Sequence, residues 1–321
     1  MTTTARTRFR RFLLAMLGAA LAVAGVRAFV ADGPAAPPAP DWGREVVDRV
    51  LPLAPGGVVE LQLSGERVEL QSGSAAGVRV VITADSAARG GERPPTYRLE
   101  STARGVSVRA DALSSGAASG VTVKVWVPRD ARVRHAGTTG DVAVDKLDGD
   151  EVALATTSGD VGIGEVLCNR LQVTTASGDV VAMDARGTSV QVQTETGDVG
   201  VRRSSGGIEI ASDHGDVRLL DHGGHVALRA GTGRVVLGVR DRVSPTQIDT
   251  GSGDVEVRLA GDARADLDVD TRGRVRVGDA LDFTGRTAGG AALGRLGTGG
   301  APLEIRSRLG DVELQRRPGR P

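Results

Sequence analysis

From residue 140 onward the chain alternates apolar and polar residues in short pairs that return every 18 to 20 positions. One set stands two and four residues after a recurring glycine: Val142/Val144, Val161/Ile163, Val180/Ala182, Val199/Val201, Val217/Leu219, Val235/Leu237, Val255/Val257, Val275/Val277 and Val312/Leu314. A second set stands seven and five residues before most of these glycines, as in Val152/Leu154, Leu171/Val173, Val190/Val192 and Ile208/Ile210. Strict alternation at period two predicts strands, so each unit holds two of them. Between them, Lys146-Leu147-Asp148-Gly149-Asp150 and Arg202-Arg203-Ser204-Ser205-Gly206-Gly207 read as turns and leave no room for a helix.

A unit of this size cannot bury an apolar face alone, whereas stacking lets equivalent valines form one core. The expected fold is all-β, a parallel β-solenoid of about nine 18–20-residue coils, roughly 40 Å long at about 4.8 Å per coil. An antiparallel sandwich explains the alternation but not the fixed period. Two units fall out of step: Leu267/Val269 come one residue late and Thr246/Ile248 is half polar, which suggests bulges or wider coils. The step of 37 residues from Gly273 to Gly310 is either two units minus one or one unit with an insertion. The Gly-rich stretch from Thr284 to Pro302 reads as a loop near the far end.

Residues 44–127 are also β-patterned, without the period. The segments 58–65, 67–72, 78–84, 97–101, 106–110 and 121–128 read as strands, and the region is expected to cap the first open coil. Residues 128–317 are the repeat region. Residues 1–31 look different: Arg6, Arg8, Arg10 and Arg11 precede an apolar run from Phe12 to Val26. That is the pattern of a signal peptide or an N-terminal membrane anchor, and either one places the body outside the cytoplasm, secreted, periplasmic or anchored. Residues 32–43 are a Pro/Ala-rich linker.

Charge and composition remove several functions. With 40 Lys+Arg against 40 Asp+Glu the formal net charge is zero, so no field favours nucleic acid, and the membrane is expected to be met only through the N-terminal segment. Aromatic residues are 2% of the chain, and Phe9, Phe12 and Phe29 belong to the first 31 residues, which leaves too few for a stacking platform. The single cysteine, Cys168, excludes an internal disulfide.

The candidate chemistry sits at the repeated corner, Thr/Ser-x-x-Gly-Asp-Val in most coils. The corner pairs are Gly140/Asp141, Gly159/Asp160, Gly178/Asp179, Gly197/Asp198, Gly215/Asp216, Gly253/Asp254 and Gly310/Asp311, while Gly233 and Gly273 are followed by Arg234 and Arg274. A structural role follows from residue type: Gly supplies a positive φ, Asp bonds N–H groups of its turn, and the hydroxyls of Thr156, Thr175, Thr194, Ser212, Thr250 and Ser307 bond along the stack. The competing reading is calcium on a ladder that includes Asp179 and Asp198. One carboxylate per coil is few for a six- to eight-ligand ion, and the two arginines interrupt the row. His214, His222 and His225 form the one cluster with transition-metal potential, but His214 flanks a corner while the other two flank the opposite turn, so solvated turn residues are expected. His135 falls at an inward position. No coil singles out an acid/base pair, and neither a catalytic residue nor a cofactor is expected. The alternative, a polysaccharide-acting β-helix hydrolase or lyase, requires two unmatched carboxylates in a groove.

The segment VKVWVPRDARVRHAGTTGDVAVDKLDGDEVALATTSGDVGI, with the TxSGDV units that follow it, resembles the putative-adhesin or toastrack domain of bacterial envelope proteins over about residues 44–315. The resemblance implies an extracytoplasmic stack of β-strand repeats and brings no catalytic residues. The expected function is an exported, non-enzymatic adhesin-like, scaffolding or sensing module whose partner is an envelope or surface component, a protein among the candidates.

Overall fold

The computed structural model describes residues 44–73, 77–84, 96–102, 104–110 and 120–317. The expected export segment 1–31 and linker 32–43 lie outside them. Every regular element among the described residues is a β-strand.

The middle of the repeat region shows why alternating pairs become coils. Strands β9 (Val142–Ser158), β10 (Val161–Ser177) and β11 (Val180–Thr196) are each 17 residues long. They pair in parallel and in register, so Val161 lies between Val142 and Val180, and Leu171 between Val152 and Val190. Each strand follows the face after the corner glycine, rounds the opposite turn and returns on the face before the next glycine. We call these the second and first faces. Val161, Ile163, Leu171 and Val173 point inward at 1% exposure or less, and their equivalents above and below at 4% or less. Fully burying each aliphatic side chain is worth about 1.5–3 kcal/mol before chain entropy is set against it. One such column per inward position is the core.

Later coils split into separate strands that keep the register on both faces and shift it only around the opposite turn, between Arg186 and Ser189 and between Leu219 and His222: β12 (Val199–Val201), β13 (Ser204–His214), β14 (Val217–Gly223), β15 (Val226–Thr232), β16 (Val235–Val239), β17 (Thr246–Ser252) and β18 (Val255–Leu259). The half-polar pair creates no bulge. Thr246 and Ile248 pair in register with Val226 and Leu228, and the buried Thr246 hydroxyl donates to the Ser244 carbonyl at 2.8 Å.

At both ends, stacking order departs from chain order. The N-terminal part comprises β1 (Arg44–Pro52), β2 (Val58–Leu63), β3 (Arg67–Ser72), β4 (Gly77–Ala84), β5 (Tyr97–Thr102), β6 (Gly105–Ala110) and β7 (Val121–Val127), followed by β8 (Arg132–Gly137). Strand β2 pairs in parallel with both β6 and β8, and β3 with both β7 and β9. The coil β2–β3 is therefore sandwiched between β6–β7 and the first regular coil. Antiparallel strands cover the outer edge: β5 on β6, β4 on β7 and β1 on β4.

The C-terminal end repeats the device with β19 (Ala265–Thr271), β20 (Val275–Val277), β21 (Phe283–Ala288), β22 (Ala291–Leu296), β23 (Ala301–Leu309) and β24 (Val312–Arg316). The coil β23–β24 enters between β17–β18 and β19–β20. The 37-residue step is thus an insertion, and Thr284–Pro302 is not the loop that its glycines suggested. It holds most of the hairpin β21–β22, turned at Gly289 with φ 57° and laid antiparallel on β19. The outer edge of β19 has unpaired N–H and C=O groups, and a strand partner satisfies them where a loop does not.

Candidate functional site

The corners are built by main-chain bonds between coils. Gly178 N–H donates to the Thr196 carbonyl at 3.0 Å, and Val161 N–H to the Asp179 carbonyl at 2.9 Å. Each aspartate acts on the next coil rather than on its own turn: the N–H groups of Asp160, Asp179, Asp198 and Asp216 donate to the carboxylates of Asp141, Asp160, Asp179 and Asp198 at 2.8–3.1 Å. Arg234 continues the chain with its main chain only, donating to Asp216 at 2.9 Å, while its guanidinium turns to Glu256 at 2.5 Å. Beyond it, Asp311 N–H donates to Asp254 and Arg274 N–H to Asp311. One oxygen of each of these carboxylates is therefore committed to the backbone, and among the described residues no three His, Cys, Asp or Glu side chains converge as metal ligands.

Two further expectations about the corner need correction. Gly197, Gly215, Gly253 and Gly310 have φ between 134° and 158°, but Gly140, Gly159 and Gly178 have no left-handed φ. What all of them share is crowding by the coil before. A Cβ on Gly178 would stand 2.2 Å from the Gly159 carbonyl oxygen, and one on Gly159 2.3 Å from that of Gly140. Glycine is required because backbones meet there. The hydroxyls, in turn, do not form a ladder: the Oγ atoms of Thr156, Thr175, Thr194, Ser212, Thr250 and Ser307 are buried without a hydrogen-bond partner. Coil spacing of about 4.8 Å holds equivalent oxygens too far apart to bond.

The histidines do not come together either. His214 and His225 are exposed, whereas His222, expected in a solvated turn, is 1% exposed. The ladder sets His222 beside Ser204, whose Oγ lies 2.8 Å from Nδ1, and burial holds the ring below the usual histidine pKa. Ser204 is equally buried, so the pair cannot reach a substrate as nucleophile and base. The adjacent Asp221, with φ 57°, turns its carboxylate to Arg317 at 3.2 Å and Arg240 at 3.7 Å. Cys168 is buried, and desolvation pushes its thiol up to about 11, away from reactivity.

His135 is 4% exposed between Leu61 and Leu154, and burial lowers its pKa to about 4 against a smaller opposing effect of Glu66. Glu66 escaped the sequence reasoning. It is 1% exposed, accepts the N–H groups of Ser64 and Gly65 at 2.8 and 2.9 Å, and accepts the Tyr97 hydroxyl at 3.0 Å, which ties capping strand β5 to the first corner. The available signal was Ser64-Gly65-Glu66-Arg67-Val68, a degenerate corner outside the 19-residue spacing.

No protein of curated function matches the sequence. Among solved structures, the chain is similar to a putative adhesin from Parabacteroides distasonis ATCC 8503, at 15% identity over 86% of this chain and 98% of that one, with a TM-score of 0.48. It is also similar to a putative adhesin from Bacteroides fragilis NCTC 9343, at 10% identity over 84% and 96% with a TM-score of 0.44. A putative lipid binding protein from Parabacteroides distasonis ATCC 8503 gives 11% identity over 84% and 96%, with a TM-score of 0.42. The Toastrack DUF4097 family model matches residues 60–315, a span from the interleaved coil β2–β3 through β23 and most of β24. With glycine-aspartate corners recurring through it from Gly140 to Asp311, the chain belongs to the Toastrack DUF4097 family.

Proposed function

We propose that this protein is an exported, non-enzymatic surface module of the cell envelope, adhesin-like or scaffolding, that presents the outer sides of its two faces to a protein partner. The observation that carries the reading is the treatment of the ends: β5 and β22 lie antiparallel on the first and last coils of the first face, so association is directed to the sides of the stack. On the first face those sides carry polar side chains such as Gln172, Gln191 and Glu209, held in register by the ladder. The burial of Ser204 and His222 supports a binding rather than a hydrolytic role. Residues 1–31 supply the route out of the cytoplasm. No helix among the described residues is long and apolar enough to cross a membrane.

The test has two arms. Residues 1–43 fused to alkaline phosphatase should give activity, which that enzyme acquires only outside the cytoplasm. A photo-crosslinking residue at Gln172 or Gln191 of the full chain should trap an envelope protein in living cells. Retention of the fusion in the cytoplasm, or no crosslink from either position, refutes the proposal.

A further inference from the structure

We propose that a trough on the first face, between Asp213 and Arg308, binds an extended polypeptide segment carrying a basic and an acidic side chain four residues apart. The inference deepens the surface-module reading and rests on it for its biological setting. Its physical basis is the arrangement of charge in two neighbouring columns.

Arg229, Asp249, Arg306 and Asp270 are successive cross-strand neighbours, and their signs alternate. Alternation is the favourable arrangement, since like charges directly opposite one another destabilise a ladder. Two residues further along each strand, the register of the flanking pairs sets Glu195, Asp213, Gly231, Gly251 and Arg308 in one column, and Arg272 follows directly after Thr271, the partner of Ser307, at the same end. Here the signs are segregated. Two acids lie on one side of two glycines, and two arginines on the other. Arg308 and Arg272 are exposed on adjacent coils and take part in no ion pair among the described residues. The fold thus tolerates like-charge contacts at both ends of this column while it avoids them in the column beside it.

Between the charged ends Gly231 and Gly251 line an open recess of about 740 Å³, and they are glycines because a Cβ at either would stand 2.4–2.5 Å from a main-chain oxygen of the coil beside it. Asp213 and Arg308 are three coils apart, roughly 14 Å at about 4.8 Å per coil. Four residues of extended chain span roughly 13 Å. A segment with Lys or Arg at one position and Asp or Glu four residues away therefore meets both ends at once, with its main chain over the glycines. Other ligand classes fit less well. No aromatic ring lines the recess, so a sugar has nothing to stack on, and a polyanion that gains at Arg308 and Arg272 is repelled at Asp213.

The experiment pans a random heptapeptide display library on the immobilised full chain and on the Arg272→Glu/Arg308→Glu variant. Both sites are solvent-facing, so thermal melts of the two proteins should coincide. Peptides enriched on the native chain should carry a basic and an acidic residue four apart. Synthesised and labelled, they should bind the variant at least tenfold more weakly by fluorescence anisotropy, and replacing their acidic residue with Lys should restore binding to the variant. No enrichment over the naive library, equal binding to the variant, or Arg-dependent binding of an oligogalacturonate with no enriched peptide each overturns the proposal. If the peptides fail while photo-crosslinking at Gln172 or Gln191 succeeds, only the trough is refuted. Cytoplasmic retention refutes the envelope reading whatever the peptides do.

Discussion

Replacing Gly178 by alanine isolates the crowding between coils from every other use of glycine. The added Cβ would lie 2.2 Å from the Gly159 carbonyl oxygen, 2.7 Å from its carbon and 3.3 Å from the Asp160 nitrogen. All three are main-chain atoms, so no side chain can swing away, and the coils must separate locally by about an ångström to restore contact distance. Three bonds span the junction: Gly159 N–H to Ser177 at 3.1 Å, Val161 N–H to Asp179 at 2.9 Å, and Asp179 N–H to the Asp160 carboxylate at 2.9 Å. With each net hydrogen bond worth about 0.5–1.5 kcal/mol, weakening two or three gives an expected loss of about 2–4 kcal/mol. Two further substitutions act as controls. Gly56 has φ 67° and nothing within 4 Å of an added Cβ, so Gly56→Ala should cost only the left-handed backbone penalty of about 1–2 kcal/mol. Gly223 has neither constraint, and Gly223→Ala should be neutral or slightly stabilising. Urea denaturation of the three variants beside the parent gives the ranking. A Gly178→Ala protein within about 0.5 kcal/mol of the parent would refute the crowding argument.

The buried hydroxyls predict that Thr175→Val is neutral or stabilises by up to about 1 kcal/mol, because an unsatisfied hydroxyl is exchanged for a methyl of similar shape; a clear loss in the urea midpoint would mean that the oxygen is bonded after all. Asp179→Ala should cost about 1–2 kcal/mol through loss of the bond to Asp198 N–H, whereas Asp179→Asn, which keeps an acceptor, should cost much less; equal melting temperatures for the two variants would exclude that bond as the reason for the aspartate. His135 is held neutral by burial with a folded pKa of about 4, below its unfolded value of 6.5, so its stabilising contribution is complete above pH 6.5 and disappears as the pH falls toward 4. The shift corresponds to up to about 3 kcal/mol, and His135→Leu, which matches its ladder neighbours Leu61 and Leu154, should flatten the fall in urea midpoint between pH 7.5 and pH 4.5, leaving the part due to His222. An unchanged slope in His135→Leu would show that the ring is already solvated.

The sequence by itself determined which residues are equivalent. Alternation placed Val161 and Ile163 inside, the 19-residue return placed Val142 and Val180 against Val161, and the two together specified a parallel stack with an aliphatic core, because no single coil can bury its own valines. Only the tertiary structure decided which coil adjoins which. Coils with matched strands and matched apolar columns can replace one another, so β2–β3 and β23–β24 enter out of chain order, and the choice is settled by the edges that must be covered at the ends. The same limit applies at the corner. Residue type made Gly178 a candidate for an unusual φ, Thr175 a hydrogen-bonding hydroxyl and His222 a solvated turn residue, but the approach of Gly159, the isolation of the Thr175 oxygen and the burial of His222 beside Ser204 depend on the position of the neighbouring coil. Periodicity reports the spacing of residues along one chain, whereas burial and crowding are set by what the adjacent coil brings against them.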